Sequence, residues 1–176
     1  MLKRTAAAVI LLVFPAAFGA PFTSEEYAFT ADFPSVPTVG APQGAEKDAA
    51  GNFISNSVDF MSAEQGVYAT VVSVETYVEP VTLDSTQVLT IQRDNFVKGL
   101  NASLGTSSPG TLDGHPSLTF SYDTPDHSLA GNGIVVFIGT AMPRDYIVVT
   151  MHTQNASAAQ VASLETFLNS FHLKAP

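Results

Sequence analysis

The chain has 176 residues, 16 acidic and 7 basic, for a formal net charge of −9, and it contains no cysteine. So acidic a surface is repelled by phosphate backbones and anionic headgroups, which argues against nucleic acid as a partner, and the lack of thiols rules out disulfide staples and cysteine-ligated zinc. With 45% hydrophobic and only 13% charged residues, the composition also argues against a disordered chain.

Lys3 and Arg4 form a short positive start, Ala6 to Phe14 is an unbroken apolar run, and Pro15 and small residues follow. This is the three-part layout of a secretory signal peptide. The run is too short to cross roughly 30 Å of hydrocarbon, which takes about 20 residues. Cleavage is expected after Gly19, because Ala17 and Gly19 then fill the two small-residue positions. A cut after Ala20 would put Phe18 in one of them and leave Pro21 first. The expected organisation is a signal peptide over 1–19 and one domain over 20–176, exported to the periplasm or beyond, with no lipid or membrane anchor. Losing Lys3 and Arg4 leaves five basic residues against sixteen acidic, a net charge of −11. A chain of that length buries roughly 70% of its unfolded surface, enough for a single core without staples.

Tyr27, Phe29, Ala31 and Phe33 alternate with Ala28, Thr30 and Asp32, which predicts a strand that Pro34 and Pro37 end. Gly40 to Gly51 carries Gly, Ala and charge without periodicity and reads as a loop. Phe53–Ala63 and Val67–Tyr77 read as two strands joined by a turn at Glu64-Gln65-Gly66, hence hairpin neighbours. Pro80 closes the second. A helix then starts at Asp84 or Ser85 as N-cap, with Leu89, Phe96 and Leu100 on one stripe and Val97 and Leu104 beside it. Gly105 is the expected left-handed stop, and Ser107–Gly110 a loop. His115–Tyr122 reads as a strand and Asp123–Gly133 as a polar loop. Ile134–Ile138 and Tyr146–Met151 are continuous apolar runs, suited to strands covered on both faces, with Met142-Pro143-Arg144-Asp145 in the connection between them. Ser157 and Gln160 form a capping box for a last helix, whose stripe is Val161, Leu164, Leu168 and Phe171.

The order of these elements resembles a known group. Its marks are Tyr27 leading to Asp32-Phe33-Pro34, two long strands, and a helix ending near Leu104-Gly105. Asp113-Gly114-His115-Pro116 then leads into Phe120-Ser121-Tyr122, and the chain closes on Phe167-Leu168-Asn169-Ser170-Phe171. The pattern is similar to the PsbP-like (DcrB-like) α/β/α sandwich proteins, which include extrinsic subunits of photosystem II and small exported bacterial proteins. The resemblance implies an α+β fold, an antiparallel sheet of about six or seven strands with helices packed on it. It also implies a role in binding other proteins rather than catalysis.

Candidate chemistry is sparse. His115, His127, His152 and His172 show no helical i, i+3 or i+4 pairing that would make a metal site. His115 with Asp113, and His127 with Asp123 and Asp126, are the only His/Asp clusters, and turn chemistry accounts for both. There is no Gly-x-Ser-x-Gly elbow, and Thr106-Ser107-Ser108 reads as loop. Gly131-Asn132-Gly133 precedes a strand, whereas a phosphate loop precedes a helix. Glu25-Glu26 and the Glu75/Glu79 pair read as solvated surface. The Asn101-Ala102-Ser103 and Asn155-Ala156-Ser157 triplets match glycosylation sequons, with Asn101 placed on the helix. Arg144 is expected to pair with Asp145, and is also a candidate partner contact.

No catalytic residue, cofactor or metal is therefore expected. The sequence points to an exported, non-catalytic binding or accessory module whose partner is an envelope protein. The alternatives are a carrier of a small apolar ligand, in a pocket between sheet and helix lined by Phe and Tyr, and a hydrolase. The hydrolase would need His115 or His127 brought to a carboxylate and a nucleophile.

Overall fold

The computed structural model describes residues 21–44, 54–139 and 143–174. The expected signal peptide, its cleavage between Gly19 and Ala20, and residues 45–51 of the expected loop lie outside that set. The elements begin β1 (Phe22–Ser24), β2 (Phe29–Ala31), β3 (Thr38–Val39), β4 (Gln43–Gly44), β5 (Ser55–Glu64), β6 (Tyr68–Tyr77) and α1 (Ser85–Gly99). They continue as β7 (Ser103–Leu112), β8 (His115–Asp123), β9 (Ala130–Ile138), β10 (Arg144–His152), α2 (Ala158–Ser170) and β11 (His172–Leu173).

Six long antiparallel strands form the main sheet in the order β5-β6-β10-β9-β8-β7, with β3 and β4 both on the outer side of β5. The hairpin expected between the two early strands is β5–β6, in register from Ser55↔Tyr77 to Glu64↔Tyr68. After α1 the chain returns as a meander, so β10, the last of the long strands in the sequence, lies in the centre between β9 and β6. That position explains the two continuous apolar runs, because central strands are covered on both faces.

One face of the sheet is covered by α2 and a small sheet of order β1-β2-β11. Strand alternation delivers Val58, Phe60, Val72, Val74, Tyr146 and Val148 to that side, where they meet Phe29, Phe33, Phe167 and Phe171. The rings interlock, Phe33 against Phe167 at 4.9 Å and Phe29 against Phe60 at 5.0 Å between centroids. On the other face α1 lays Val88, Leu89 and Val97 over Leu118, Phe120, Tyr122, Val135 and Phe137.

Several boundaries differ from expectation for identifiable reasons. Ala28 adopts φ 51°, which bends the first strand and shortens it to Phe29–Ala31. Helix α1 stops at Gly99, not at Gly105. Asn101, at φ 52°, is the left-handed residue, with Ala102 N–H donating to Val97 O at 3.0 Å and Asn101 N–H to Lys98 O at 2.9 Å. This is a Schellman stop built on asparagine, which tolerates the left-handed region. Asn101 accordingly lies just past the helix.

The expected loop over Ser107–Gly110, with Thr106-Ser107-Ser108, is instead strand β7, and its pairing with β8 shifts register between Leu104 and Ser107. Gly105 sits at that irregularity, where a Cβ would come within 2.5 Å of Ser121 Oγ. Gly131-Asn132-Gly133 lies inside β9 rather than before it. Arg144 and Asp145 open β10 and are not in a connection.

Candidate functional site

The polar residues that the fold buries together lie on the α1 side of the sheet. Glu75 of β6 and Asp145 of β10 are direct cross-strand partners, 8% and 0% exposed. The sequence reading put Glu75 on the surface. It is buried because it belongs to the alternation set Val71, Ser73, Glu75, Tyr77 that faces α1, while Glu79 lies beyond the strand and is exposed. Asp145 faces the same way, which puts it on the opposite side of β10 from Arg144.

Gln92 of α1 reaches down between these acids and is only 5% exposed. Its Nε2 donates toward Glu75 Oε2 at 3.0 Å, Asp145 Oδ2 at 3.0 Å and the Tyr77 hydroxyl oxygen at 2.9 Å. Tyr77 O–H in turn donates to Asp145 Oδ2 at 2.9 Å, and Ser55 Oγ donates to Glu75 Oε1. Ser55, Glu75, Tyr77 and Asp145 each make at least one further interaction. Carboxylates accept and do not donate, so the Gln92 amide must present nitrogen to them. Its carbonyl oxygen is then directed elsewhere. That oxygen has no hydrogen-bond partner among the described residues, and it is not sealed from solvent.

Sequence reasoning missed this cluster. The one available signal was Gln92 itself, which sits on the Leu89–Phe96 stripe, three residues after Leu89 and four before Phe96, where an apolar side chain is expected.

Beside Gln92, a cavity of about 240 Å³ opens at the N-terminal half of α1. Val88, Ile91 and Gln92 form its helix wall, Pro80, Val81 and Leu83 its outer wall, and Ile54 and Tyr77 its sheet wall. Glu79 stands at its rim. It lies between sheet and helix, but aliphatic side chains and one tyrosine line it, not phenylalanines. Leu83 and Ile91 of its lining are 43% and 40% exposed, and Val78, between the lining residues Tyr77 and Glu79, is 58% exposed. Gln92 also borders a second hollow, lined by Asp59, Val71, Asn95 and Ile147 on the sheet face that α1 leaves open.

The residues singled out from sequence are dispersed. Arg144 does not pair with Asp145; its guanidinium lies over the Tyr27 ring at 5.6 Å, with Nη1 3.5 Å from the Tyr146 hydroxyl. Asp113 turns from His115 to His172 Nδ1, 3.3 Å away, and accepts Leu173 N–H at 2.8 Å. His127 Nδ1 contacts Asp123, while Asp126 organises the same turn by accepting from Ser128 N–H and the Ser128 and Thr124 hydroxyls. Those hydrogen bonds, the Ser128 hydroxyl foremost, draw Asp126 down from 3.8 to about 2. Burial raises the Tyr122 phenol far above its usual value, and its O–H donates to Thr150 O at 2.8 Å. Among the described residues no group of three His, Asp or Glu side chains could hold a metal ion, and no helix is long and apolar enough to cross a membrane.

An antiparallel sheet with one helix packed on each face is an α+β fold of the PsbP-like kind. Among solved structures, the solution structure of cyanobacterial PsbP (CyanoP) from Synechocystis sp. PCC 6803 superposes with a TM-score of 0.57 at 16% identity, covering 88% of this chain and 91% of that one. The crystal structure of LpqN, involved in cell envelope biogenesis of Mycobacterium tuberculosis, aligns at TM-score 0.48 and 10% identity over 79% of this chain and 84% of the other. No protein-family model matches the chain, and no curated protein matches it by sequence. The likeness to CyanoP is one of fold.

Proposed function

We propose that the protein is an exported, non-catalytic binding module of the cell envelope, and that it engages a protein partner through the apolar lip around the α1 cavity. One observation carries the reading. Leu83 and Ile91 in the cavity lining, and Val78 between the lining residues Tyr77 and Glu79, stay exposed, although the other large apolar side chains of α1, Val88, Leu89, Phe96 and Val97, are packed into the core. Exposed apolar side chains that cluster around a concavity are the usual mark of an interaction surface. The buried acids beneath are engaged by Gln92, Tyr77 and Ser55, an arrangement suited to holding α1 in place rather than to turnover. A carrier of a small apolar ligand is the weaker reading, because enclosing sites commonly measure about 300–1,000 Å³.

Export is supported by the Lys3–Phe14 leader, and mass spectrometry of the native product should find residues 1–19 removed. The binding role is tested by affinity capture from native envelope with wild type, Ile91→Glu and, as a control at a distant exposed site, Val36→Glu. A discrete partner should be retained by wild type and Val36→Glu and lost with Ile91→Glu. Equal recovery with all three would remove the lip from consideration.

A further inference from the structure

We infer that the α1 cavity is a receptor for a lysine side chain presented by the protein partner; this deepens the binding-module reading and rests on it. The first support is size. At about 240 Å³ the cavity falls below the range of sites that enclose a whole small molecule, and suits a single long side chain.

The second support is the distribution of polarity. The walls are aliphatic over Ile54, Pro80, Val81, Leu83, Val88 and Ile91, which matches a four-carbon stem. At the inner side stands Gln92, 95% buried, its nitrogen held by Glu75, Asp145 and Tyr77 and its oxygen without a partner among the described residues. That oxygen is open to solvent, and the nitrogen cannot take its place without losing three hydrogen bonds, so the oxygen is the amide atom of this lining residue left to meet a ligand, which has to bring a donor. An ammonium group carries donors and no acceptor, so it fits, whereas a carboxylate or a carbonyl would face this oxygen unpaired.

The third support is charge. The lining contains an acidic residue, Glu79, at the rim and no cation. Of the four described Lys and Arg residues, Lys98 stands in the last turn of α1, away from this lining, and the other three are engaged elsewhere. Arg93 pairs with Asp94 at 2.7 Å, Lys174 with Glu25 at 2.6 Å, and Arg144 covers Tyr27. The chain as a whole carries −9, which favours approach of a basic partner.

The test uses the folded protein and two neutral-capped single residues, Nα-acetyl-lysine methylamide and its isostere Nα-acetyl-norleucine methylamide, followed by amide NMR shifts. The lysine compound should produce saturable shifts at Tyr77, Val81, Val88, Ile91 and Gln92, and the norleucine compound should bind about tenfold more weakly. Glu79→Gln, an exposed change, should weaken the lysine compound severalfold without altering the rest of the spectrum. Gln92→Leu should remove the preference for lysine, provided its spectrum shows the native fold. Identical shifts from both compounds, or none with lysine, overturn the inference. If partner capture still depends on Ile91 while lysine leaves the cavity unperturbed, the receptor idea alone fails. If lysine binds but capture ignores Ile91→Glu, the protein-partner reading fails instead.

Discussion

At the scale of single residues, the structure separates polar groups that serve a turn from those that serve the core. Asp126 belongs to the first kind. Its carboxylate is fully exposed, yet three hydrogen bonds from Ser128 and Thr124 hold it at about 2 instead of 3.8. The folded value lies below the unfolded one, so its contribution to stability is complete above pH about 4 and is lost as pH falls from about 4 toward 2. A carboxyl-carbon NMR titration should show this midpoint moving up toward the ordinary aspartate value in Ser128→Ala. An unchanged midpoint would mean that the hydroxyl is not the dominant donor. Gln92 belongs to the second kind. Replacing it with alanine withdraws a donor shared by two buried carboxylates and should cost about 1–3 kcal/mol, measured by urea unfolding at neutral pH. Substitution of Asn95, exposed on the same helix and outside its cap, by alanine should stay within about 0.5 kcal/mol.

At the scale of elements, both helices start with the same device. Asp84 accepts Gln87 N–H at 2.9 Å while the Gln87 side chain accepts Asp84 N–H at 3.1 Å, and Ser157 and Gln160 repeat the exchange. Asp84→Ala should lower stability by about 1 kcal/mol in a thermal or denaturant melt. Because α1 begins beside the cavity, the same change should broaden NMR signals from Val88 and Ile91 before the core melts. Strand β9 depends on a close approach of a different sort. A Cβ at Gly133 would lie 2.4 Å from the Phe120 ring and 2.9 Å from Val149. Gly133→Ala should therefore destabilise by roughly 2–3 kcal/mol, since that ring is held between β9 and α1 and has little room to retreat. A neutral result would show that the Phe120 ring can rotate away.

For the molecule as a whole, stability rests on two unequal cores separated by one sheet. The α2 side carries the aromatic lattice. Phe29 alone stands within 5.0–6.3 Å, centroid to centroid, of Phe22, Phe60, Tyr146 and Phe171. Phe29→Ala should cost about 3–5 kcal/mol in chemical denaturation. It lies across the sheet from the cavity, so the folded fraction should keep its response to Nα-acetyl-lysine methylamide. The α1 side is less complete. One helix covers β7 to β9 and leaves Met61, 46% exposed, and part of β5 and β6 open. That asymmetry supports the proposal of a binding surface on that side.

How much could be read in advance depended on whether a signal was local. The β5–β6 hairpin, the two caps, the central position of the apolar runs and the α+β sandwich all follow from period-two or period-3.6 patterning and cap chemistry, which neighbouring residues decide among themselves. The end of α1 was not legible. Leu104 and Gly105 imitate one more helical turn, and only the pairing of β7 with β8 shows that Asn101 had already reversed the chain. Gly131 and Gly133 read as a bend because the ring and carbonyl that exclude a side chain there come from β8 and β10, distant in sequence. Glu75, Gln92 and Asp145 looked like unrelated polar residues. Their meeting depends on β10 pairing with β6 across a sequence separation of 68 between Tyr77 and Asp145, and on α1 crossing above that pair. The sequence by itself determined the acidity, the absence of thiols and the fold class. Tertiary structure decided the site, because burial and cross-strand register are set by long-range pairing that no local pattern encodes.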